Sequence, residues 1–304
     1  MPRAWRFARG KILRRRGLGR RSGRIGKASE AAIADIGHTV VDVRGRVGRV
    51  RLQNPPLNVL EISMMREMSA ALEELEARAD VSVIVFEGDD RALSAGVDIK
   101  AHVPELVGEM LTSFHSVIRA VVASRKVTIA VVRGACFGGG AELALVCDMV
   151  YTARDASWGF PEIKLGCYPP VAAVALPALV GQKRAAELIL TGRQISGDEA
   201  VAIGIANRSA HAEELDSILQ ATLDELGGLS AVTLAHAKKA LYCWDAIHFD
   251  KGLARAEKIY LEELVSTADA REGIMAFLEK RPPRWEESQK SDCRSKFMVP
   301  RAVE

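Results

Sequence analysis

Long apolar runs, clustered cysteines and aromatic residues are all scarce in this 304-residue sequence. No stretch of about 18 consecutive uncharged apolar residues occurs, so we predict no transmembrane helix. The five cysteines are scattered and form no CxxC motif, which argues against a metal site or a disulfide framework and favours a reducing compartment such as the cytoplasm. Aromatic residues make up only 5% of the chain although 48% of it is hydrophobic, and this composition is typical of close-packed α/β proteins.

Acidic residues are absent from the first 28 positions, which carry eleven lysines and arginines. We therefore predict that residues 1–37 form a basic, disordered leader. It lacks the apolar core of a secretory signal, and three alternatives stay open: an organelle transit peptide, a basic arm that contacts an acidic surface, or an extension without a function. The rest of the chain has 31 basic and 39 acidic residues, so nucleic acid is not an expected partner.

The apolar pattern predicts an α/β core over 38–232, a helical region over 233–286 and a short tail over 287–304. In the core, short β-rich runs alternate with segments that have apolar residues at helical spacing. After an initial hairpin, this order implies parallel strands joined by right-handed crossovers. The predicted strands span 39–43, 47–52, 81–86, 127–132 and 149–153, and the predicted helices of this part span 62–77 and 105–124.

The strongest local signal for function is a glycine-rich segment, RGACFGGGAELAL over 133–145, between a buried strand and an apolar helix. Three consecutive glycines let the backbone approach a ligand closely, and free amides at a helix start attract negative charge. The spacing matches neither a P-loop nor a dinucleotide fingerprint, and a tight turn without a ligand explains the glycines equally well. Glu142, two residues after the triplet, is either a capping residue or a functional acid.

A second carboxylate has a similar setting, because Glu162 follows Pro161 just after a predicted strand. Each glutamate alone is more often structural, but together, beside an anion-binding turn, they suggest paired acid/base chemistry. A second turn of small residues over 94–97 offers a further N–H group, and two such groups on one carbonyl oxygen form an oxyanion hole. Asp98 is best interpreted as the N-cap of the following helix.

Three segments resemble, in order and spacing, the enoyl-CoA hydratase/isomerase (crotonase) superfamily: AGVDIK at 95–100, GACFGGGAELALVCD at 134–148 and FPEIKLG at 160–166. The segment 272–281 resembles that family's closing helix, so the resemblance covers roughly 38–286. It implies a crotonase-like ββα spiral fold with a C-terminal helical trimerisation region, and a homotrimer or a dimer of trimers. It also implies an acyl-CoA substrate, with no metal and no cofactor beyond the coenzyme A of that substrate.

The resemblance implies roles for individual residues as well. Glu142 would activate water and Glu162 would supply the Cα proton of a hydratase, a carbon–oxygen lyase. The amides of Val97 and Gly139 would form the oxyanion hole. Positions that would contact coenzyme A or substrate are Leu57, Asn58, Val59, Ala95, Gly96, Asp98, Tyr168, Phe277 and Lys280, and the last two match positions that often reach the nucleotide from a neighbouring subunit.

The segment after Glu162 departs from many hydratases, which have a glycine-rich stretch where this chain has Tyr168-Pro169-Pro170-Val171. Two prolines stiffen this wall of the acyl pocket, which favours a compact cyclic acyl group. The Tyr168 hydroxyl would bind a polar group near the reacting carbon, or the ring would only pack against the next helix. Together with PPLNVL at 55–60, the segment most resembles cyclohexa-1,5-dienecarbonyl-CoA hydratases, which act in anaerobic aromatic degradation.

Two other functions stay open within the family. A Δ3-Δ2 enoyl-CoA isomerase often needs only one carboxylate, so the presence of both favours a hydratase. A non-enzymatic, RNA-binding member is favoured only by the basic leader. The oligomer prediction rests on apolar positions in the helical region that one domain would struggle to cover, namely Leu241, Ile259, Leu261, Leu264, Ile274 and Phe277.

Overall fold

The computed structural model describes residues 32–242 and 246–285. Most of the predicted leader and the tail after residue 285 lie outside the described residues. The strands are β1 Ala32–Ile36, β2 Thr39–Arg44, β3 Val47–Leu52, β4 Val83–Glu87, β5 Ala92–Ser94, β6 Val127–Val132, β7 Ala135–Phe137, β8 Met149–Ala153, β9 Ser157–Gly159, β10 Gln194–Ser196 and β11 Arg208–Ala210. The α-helices are α1 Ile62–Ala77, α2 Val107–Ala123, α3 Gly139–Leu145, α4 Pro170–Val180, α5 Gln182–Thr191, α6 Gly197–Ile203, α7 Leu215–Gly227, α8 Ala231–Tyr242, α9 Ala246–Lys258 and α10 Ala268–Leu278.

Two sheets organise the core. The larger sheet has the strand order β1-β2-β3-β4-β6-β8-β11, in which β1 to β3 are antiparallel and all later pairs are parallel. The smaller sheet has the order β10-β9-β7-β5. Each of β4, β6 and β8 is followed directly by a strand of the smaller sheet, so the chain passes from one sheet to the other in every turn of a spiral. The α/β class and the spiral arrangement predicted from the sequence are confirmed.

The helices on the larger sheet follow the apolar pattern closely. β4 and β6 are buried along their whole length, as expected for parallel strands covered on both faces. α1 buries the same apolar stripe that its sequence predicts, and it packs against α2. Among the described residues, no helix has the length and hydropathy needed to span a membrane.

A buried ion pair ties the C-terminal helices to this core. Lys238 on α8 places its Nζ 2.8 Å from an oxygen of Asp148. The same oxygen of Asp148 accepts hydrogen bonds from the backbone N–H and the hydroxyl of Thr128, at 2.7 and 3.0 Å, on β6. Because both charges are largely buried and hydrogen-bonded, loss of either partner would leave an uncompensated charge. The helical region is therefore packed on the core through a specific contact.

Two boundaries differ from the sequence prediction. The leader was predicted to extend to residue 37, but β1 begins at Ala32 and pairs with β2. The glycine-rich segment was predicted to run directly from turn to helix, but it contains β7. A strand of three residues is too short to show the period-2 alternation by which strands are recognised.

Candidate active site

A cavity of about 420 Å³ lies between the glycine-rich segment, α2, α10 and the start of α4. Phe114 and His115 on α2 form part of its wall and are almost completely buried. Lys164 and Phe277, which also line it, are exposed. The cavity therefore runs from a closed inner end at α2 to an open mouth at α10.

Gly138 makes the turn from β7 into α3 possible. Its φ of +50° lies in the left-handed region that favours glycine. Its N–H donates to the carbonyl of Gly159, and its carbonyl accepts from the N–H of Glu142. A Cβ at this position would lie 2.7 Å from Oε1 of Glu162, so the absence of a side chain brings the backbone close to that carboxyl group.

The two turns predicted to face one carbonyl oxygen are in contact. A Cβ on Gly96, whose φ is +104°, would lie 3.1 Å from the Phe137 carbonyl oxygen and 3.5 Å from the Gly139 nitrogen. A Cβ on Gly139 would lie 2.8 Å from Cγ2 of Val97. Neither the Val97 nor the Gly139 amide donates a hydrogen bond to any described part of the chain. The structure thus brings two unpaired N–H groups to adjoining positions on the cavity wall.

Glu142 lies in the first turn of α3 and is almost completely buried. Its Oε1 accepts a hydrogen bond of 2.9 Å from the backbone N–H of Ala172 in α4. Burial raises the pKa of Glu142 to about 7, and hydrogen bonds from the amides of Ala172 and Val171 act in the opposite direction because they stabilise the anion.

Glu162 lies in a 3₁₀ helix, Pro161–Leu165, and lines the same cavity. Its Oε2 is buried and has no hydrogen-bond partner among the described residues. Burial raises the pKa of Glu162 well above its usual value, and repulsion from the charge of Glu142 raises it further. Since Glu142 has backbone donors that stabilise its anion, it is the group of the pair that ionises first. Near neutral pH, the pair therefore holds a proton on Glu162 beside an ionising Glu142.

The raised pKa of Glu142 leads to a prediction on stability. A carboxyl group whose pKa rises from 4.5 to about 7 on folding contributes most stability below 4.5 and loses it as the pH rises through 7. Replacing Glu142 by glutamine keeps an acceptor for Ala172 and removes the buried charge. The unfolding free energy of Glu142→Gln minus that of the wild type should therefore rise by on the order of 2 kcal/mol between about pH 5 and about pH 8. Thermal melts of both proteins across this pH range measure the difference, and Glu73→Gln on the exposed face of α1 is the control. A difference in stability that does not change with pH would contradict the prediction.

Most residues predicted for the site lie on one cavity. Ala95, Gly96, Val97, Gly139, Glu142, Glu162, Tyr168 and Phe277 all line it. Leu57, Asn58, Val59, Asp98 and Lys280 do not. Their places in the structure explain why.

Leu57 and Asn58 contact the segment that carries the 94–97 turn, and the Val59 carbonyl accepts a hydrogen bond from the Asn54 side chain. The Leu57 carbonyl accepts from the Ala95 N–H, and the buried Asn58 side chain donates to the Ala92 carbonyl at 2.9 Å. The Asp98 carboxylate accepts from the Lys100 N–H and caps the 3₁₀ helix Ile99–His102, as its N-cap interpretation predicted. Lys280 is exposed, just after α10, and does not line this cavity.

The Tyr168 hydroxyl donates a hydrogen bond within the fold, and its predicted contact with a polar group of the substrate stays a prediction. It donates a hydrogen bond of 2.6 Å to the Ala256 carbonyl on α9, and the ring packs 5.4 Å from the ring of Tyr260. The alternative named the next helix, which is α4, whereas this contact is with α9, and the side chain also lines the cavity. This hydrogen bond joins two segments that are distant in sequence, so no local pattern could predict it.

Two histidines on the cavity wall were missed by the sequence analysis. His102 follows the 95–100 segment and places Nδ1 3.1 Å from the Asp98 carbonyl. His115 occurs inside the buried face of α2, next to Phe114. A histidine at an apolar helical position was the available signal, but most such residues are satisfied within the core.

A ββα spiral that brings two buried carboxyl groups beside unpaired amides defines the class of crotonase-fold proteins. The sequence profile described as enoyl-CoA hydratase/isomerase matches residues 42–289. The chain is 36% identical, over 80% of its length and 93% of the relative, to cyclohexa-1,5-dienecarbonyl-CoA hydratase of Thauera aromatica. It belongs to the enoyl-CoA hydratase/isomerase family. The prediction of a hydratase-type enzyme, a carbon–oxygen lyase, is confirmed at this level.

Solved structures agree with this family. An enoyl-CoA hydratase from Mycobacterium avium subsp. paratuberculosis K-10 superimposes with a TM-score of 0.76 at 26% identity, over 83% of this chain and all (100%) of the other. An enoyl-CoA hydratase from Bacillus anthracis gives a TM-score of 0.66 at 29% identity, over 82% and 98% of the two chains.

Proposed function

We propose that this enzyme adds water to an α,β-unsaturated acyl-CoA thioester. The observation that carries the proposal is the pair Glu142 and Glu162 on one cavity, with the unpaired amides of Val97 and Gly139 alongside. Burial raises the pKa of both carboxyl groups. The reaction needs no cofactor beyond the coenzyme A of the substrate.

The two amides act on the thioester carbonyl. Attack of water on Cβ moves electrons toward that oxygen and builds an enolate. N–H donors fixed by Gly96 and by the start of α3 stabilise this charge without reorganising. Loss of one such donor typically costs about 3–4 kcal/mol in the transition state.

The two glutamates handle the protons. Glu142, whose anion is stabilised by the Ala172 N–H, accepts a proton from the attacking water. Glu162, whose pKa is raised further, gives its proton to Cα. The hydroxyl ends on Cβ and the hydrogen on Cα, and both carboxyl groups return to their starting states after one proton exchange with solvent.

An isotope experiment separates hydration from double-bond isomerisation in the same site. The enzyme is mixed with crotonyl-CoA in water enriched in oxygen-18, and the product is analysed by mass spectrometry. Hydration places one labelled oxygen on Cβ. An enoyl-CoA product in which the double bond has moved and no labelled oxygen is present would show that the isomerase alternative is correct.

We further propose a compact cyclic acyl group as the substrate. Support comes from the similarity to the Thauera aromatica enzyme and from Pro169 and Pro170, which line the cavity and start α4 as a rigid wall. We expect kcat/KM for cyclohexa-1,5-dienecarbonyl-CoA to exceed that for long linear enoyl-CoA thioesters. If linear substrates are preferred by about tenfold, or about 1.4 kcal/mol in transition-state binding, the ring assignment fails while hydration stands.

A trimer or a dimer of trimers is the proposed assembly. Leu241, Ile259, Leu261 and Phe277 expose between 37% and 70% of their surface, as an interface would require. Ile274 and Leu264 were also predicted to belong to this surface, but Ile274 is 5% exposed and Leu264 is partly buried against the core. In such an assembly, Lys280 and Phe277 would meet the coenzyme A nucleotide. Light scattering at micromolar concentration should give three or six subunits, and a monomer would contradict the proposal.

A further inference from the structure

A second cavity, of about 190 Å³, lies beside the candidate active site. It is enclosed by the 3₁₀ helix Ile99–His102 and the loop after it, by a π-helical turn, Ile259–Leu264, and by α10. Its wall is mainly apolar, and its outer rim includes the exposed side chains of Glu105 and Met275. The hydration chemistry proposed above makes no use of this space.

Two side chains, those of Tyr260 and His102, line both cavities. Tyr260 is only 4% exposed, and His102 is half-buried. A side chain that contributes to two cavity walls while it exposes little surface lies between the two spaces. Tyr260 and His102 therefore form a partition between the candidate active site and the second cavity.

Contacts within the fold hold the partition in place. The Tyr260 ring packs 5.4 Å from the ring of Tyr168, whose hydroxyl donates a hydrogen bond of 2.6 Å to the Ala256 carbonyl. On the other side, Nδ1 of His102 lies 3.1 Å from the Asp98 carbonyl oxygen. Because each ring would lose these contacts on turning aside, the partition is a fixed wall of the active-site cavity.

The partition stands close to the proposed acid of the reaction. Cys167 lines the second cavity, and its thiol donates a hydrogen bond of 3.3 Å to the backbone carbonyl of Glu162. Burial raises the pKa of Tyr260 above its usual value, and neighbouring Cys167 and Glu162 raise it further. Since Glu162 is proposed to protonate Cα, the partition lies at the reacting end of the thioester, whereas exposed Lys164 and Phe277 mark the mouth.

We infer, on the basis of the proposed function, that Tyr260, together with His102, determines specificity by limiting the length of the acyl group. The partition blocks an acyl chain that would otherwise extend from the reacting carbons into the second cavity. The preferred substrate class is then a short or compact enoyl thioester. Without the partition the two cavities would join, and the added apolar space would hold several further methylene groups.

The test compares crotonyl-CoA with the ten-carbon linear thioester trans-dec-2-enoyl-CoA. The measured quantity is kcat/KM for decenoyl-CoA divided by kcat/KM for crotonyl-CoA, taken within each variant so that a lower folded fraction cancels. In the wild type we expect crotonyl-CoA to be favoured by at least about tenfold. Tyr260→Ala should raise the ratio by about tenfold or more, because burial of about two further methylene groups is worth that much. His102→Ala, which removes a half-buried ring, should raise it as well.

Two matched variants separate the partition from other causes. Tyr260→Phe keeps the ring and removes only the hydroxyl, so its ratio should stay near that of the wild type. Met275→Ala enlarges the second cavity at its outer rim and leaves the partition closed, so it should not change the ratio either.

The outcomes also separate this inference from the proposed function. Ratios within about twofold of the wild type in both Tyr260→Ala and His102→Ala would overturn the role of the partition, while hydration of crotonyl-CoA would keep the hydratase intact. A rise in Tyr260→Phe or Met275→Ala as large as that in Tyr260→Ala would overturn it too. No hydration of any thioester would overturn the proposed function and this inference with it. If Tyr260→Ala fails to fold, Tyr260→Leu takes its place with the same expected direction.

Discussion

Glu162→Gln is expected to lower kcat for hydration by about 10²–10⁴-fold, the range over which a positioned acid or base accelerates proton transfer. Glu162 lines the cavity, and its buried Oε2 has no hydrogen-bond partner among the described residues. Glutamine has nearly the same shape but cannot give a proton to Cα. KM should change little, because the amides that hold the thioester oxygen are untouched.

Glu142→Gln should give a loss of similar size, and the double variant should be little worse than either single one. Two groups that act as a unit lose most of their effect when either is removed. Steady-state rates with crotonyl-CoA measure this, with Glu73→Gln as a matched exposed control. Near-normal turnover in either single variant would remove that residue from the mechanism.

Gly140→Ala should strongly damage the contact between the two turns that carry the unpaired amides. A Cβ there would lie 2.6 Å from the Ser94 carbonyl oxygen, which is backbone and cannot swing aside. The clash forces the 94–97 turn away from the start of α3 and separates the amides of Val97 and Gly139. We expect kcat to fall by about 10²–10³-fold, as on loss of an oxyanion donor.

Gly108→Ala is the matched control for this substitution, because an added Cβ on that glycine of α2 meets open space. It should retain activity and melt no lower than the wild type, since alanine is the better helix former. Rates are normalised to the folded fraction from circular dichroism. Full activity of folded Gly140→Ala would show that the contact between the two turns does not matter for catalysis.

The sequence predicted the larger sheet better than the smaller one for a physical reason. The composition of β6 and the helical spacing of the apolar residues in α1 predict these elements, because each buries a long regular face. β5, β7 and β9 have three residues each and pair only through the spiral. Strands of this length are defined by their partners, which a local pattern does not contain.

The candidate site shows the same contrast between residues that a local pattern reveals and residues that only the fold can place. Glu142 and Glu162 could be identified because carboxylates are unusual in apolar segments next to a glycine turn. Asn58 was assigned to ligand contact, but its side chain instead holds the Ala92 carbonyl, 34 positions away. The partner of His115 lies 142 positions away on α9. Residues whose partners are this distant in sequence can be placed only by the fold.

The central claim is that Glu162 transfers the proton at Cα, while Glu142 accepts the proton of the attacking water. Exchange of the Cα hydrogens of saturated butanoyl-CoA in deuterium oxide tests it directly, because this thioester enolises but has no water to lose. Removing the Glu142 charge lowers the pKa of Glu162, so Glu142→Gln should exchange at least as fast as the wild type. Glu162→Gln should show no exchange above the uncatalysed rate. Exchange that persists in Glu162→Gln and disappears in Glu142→Gln would contradict the account.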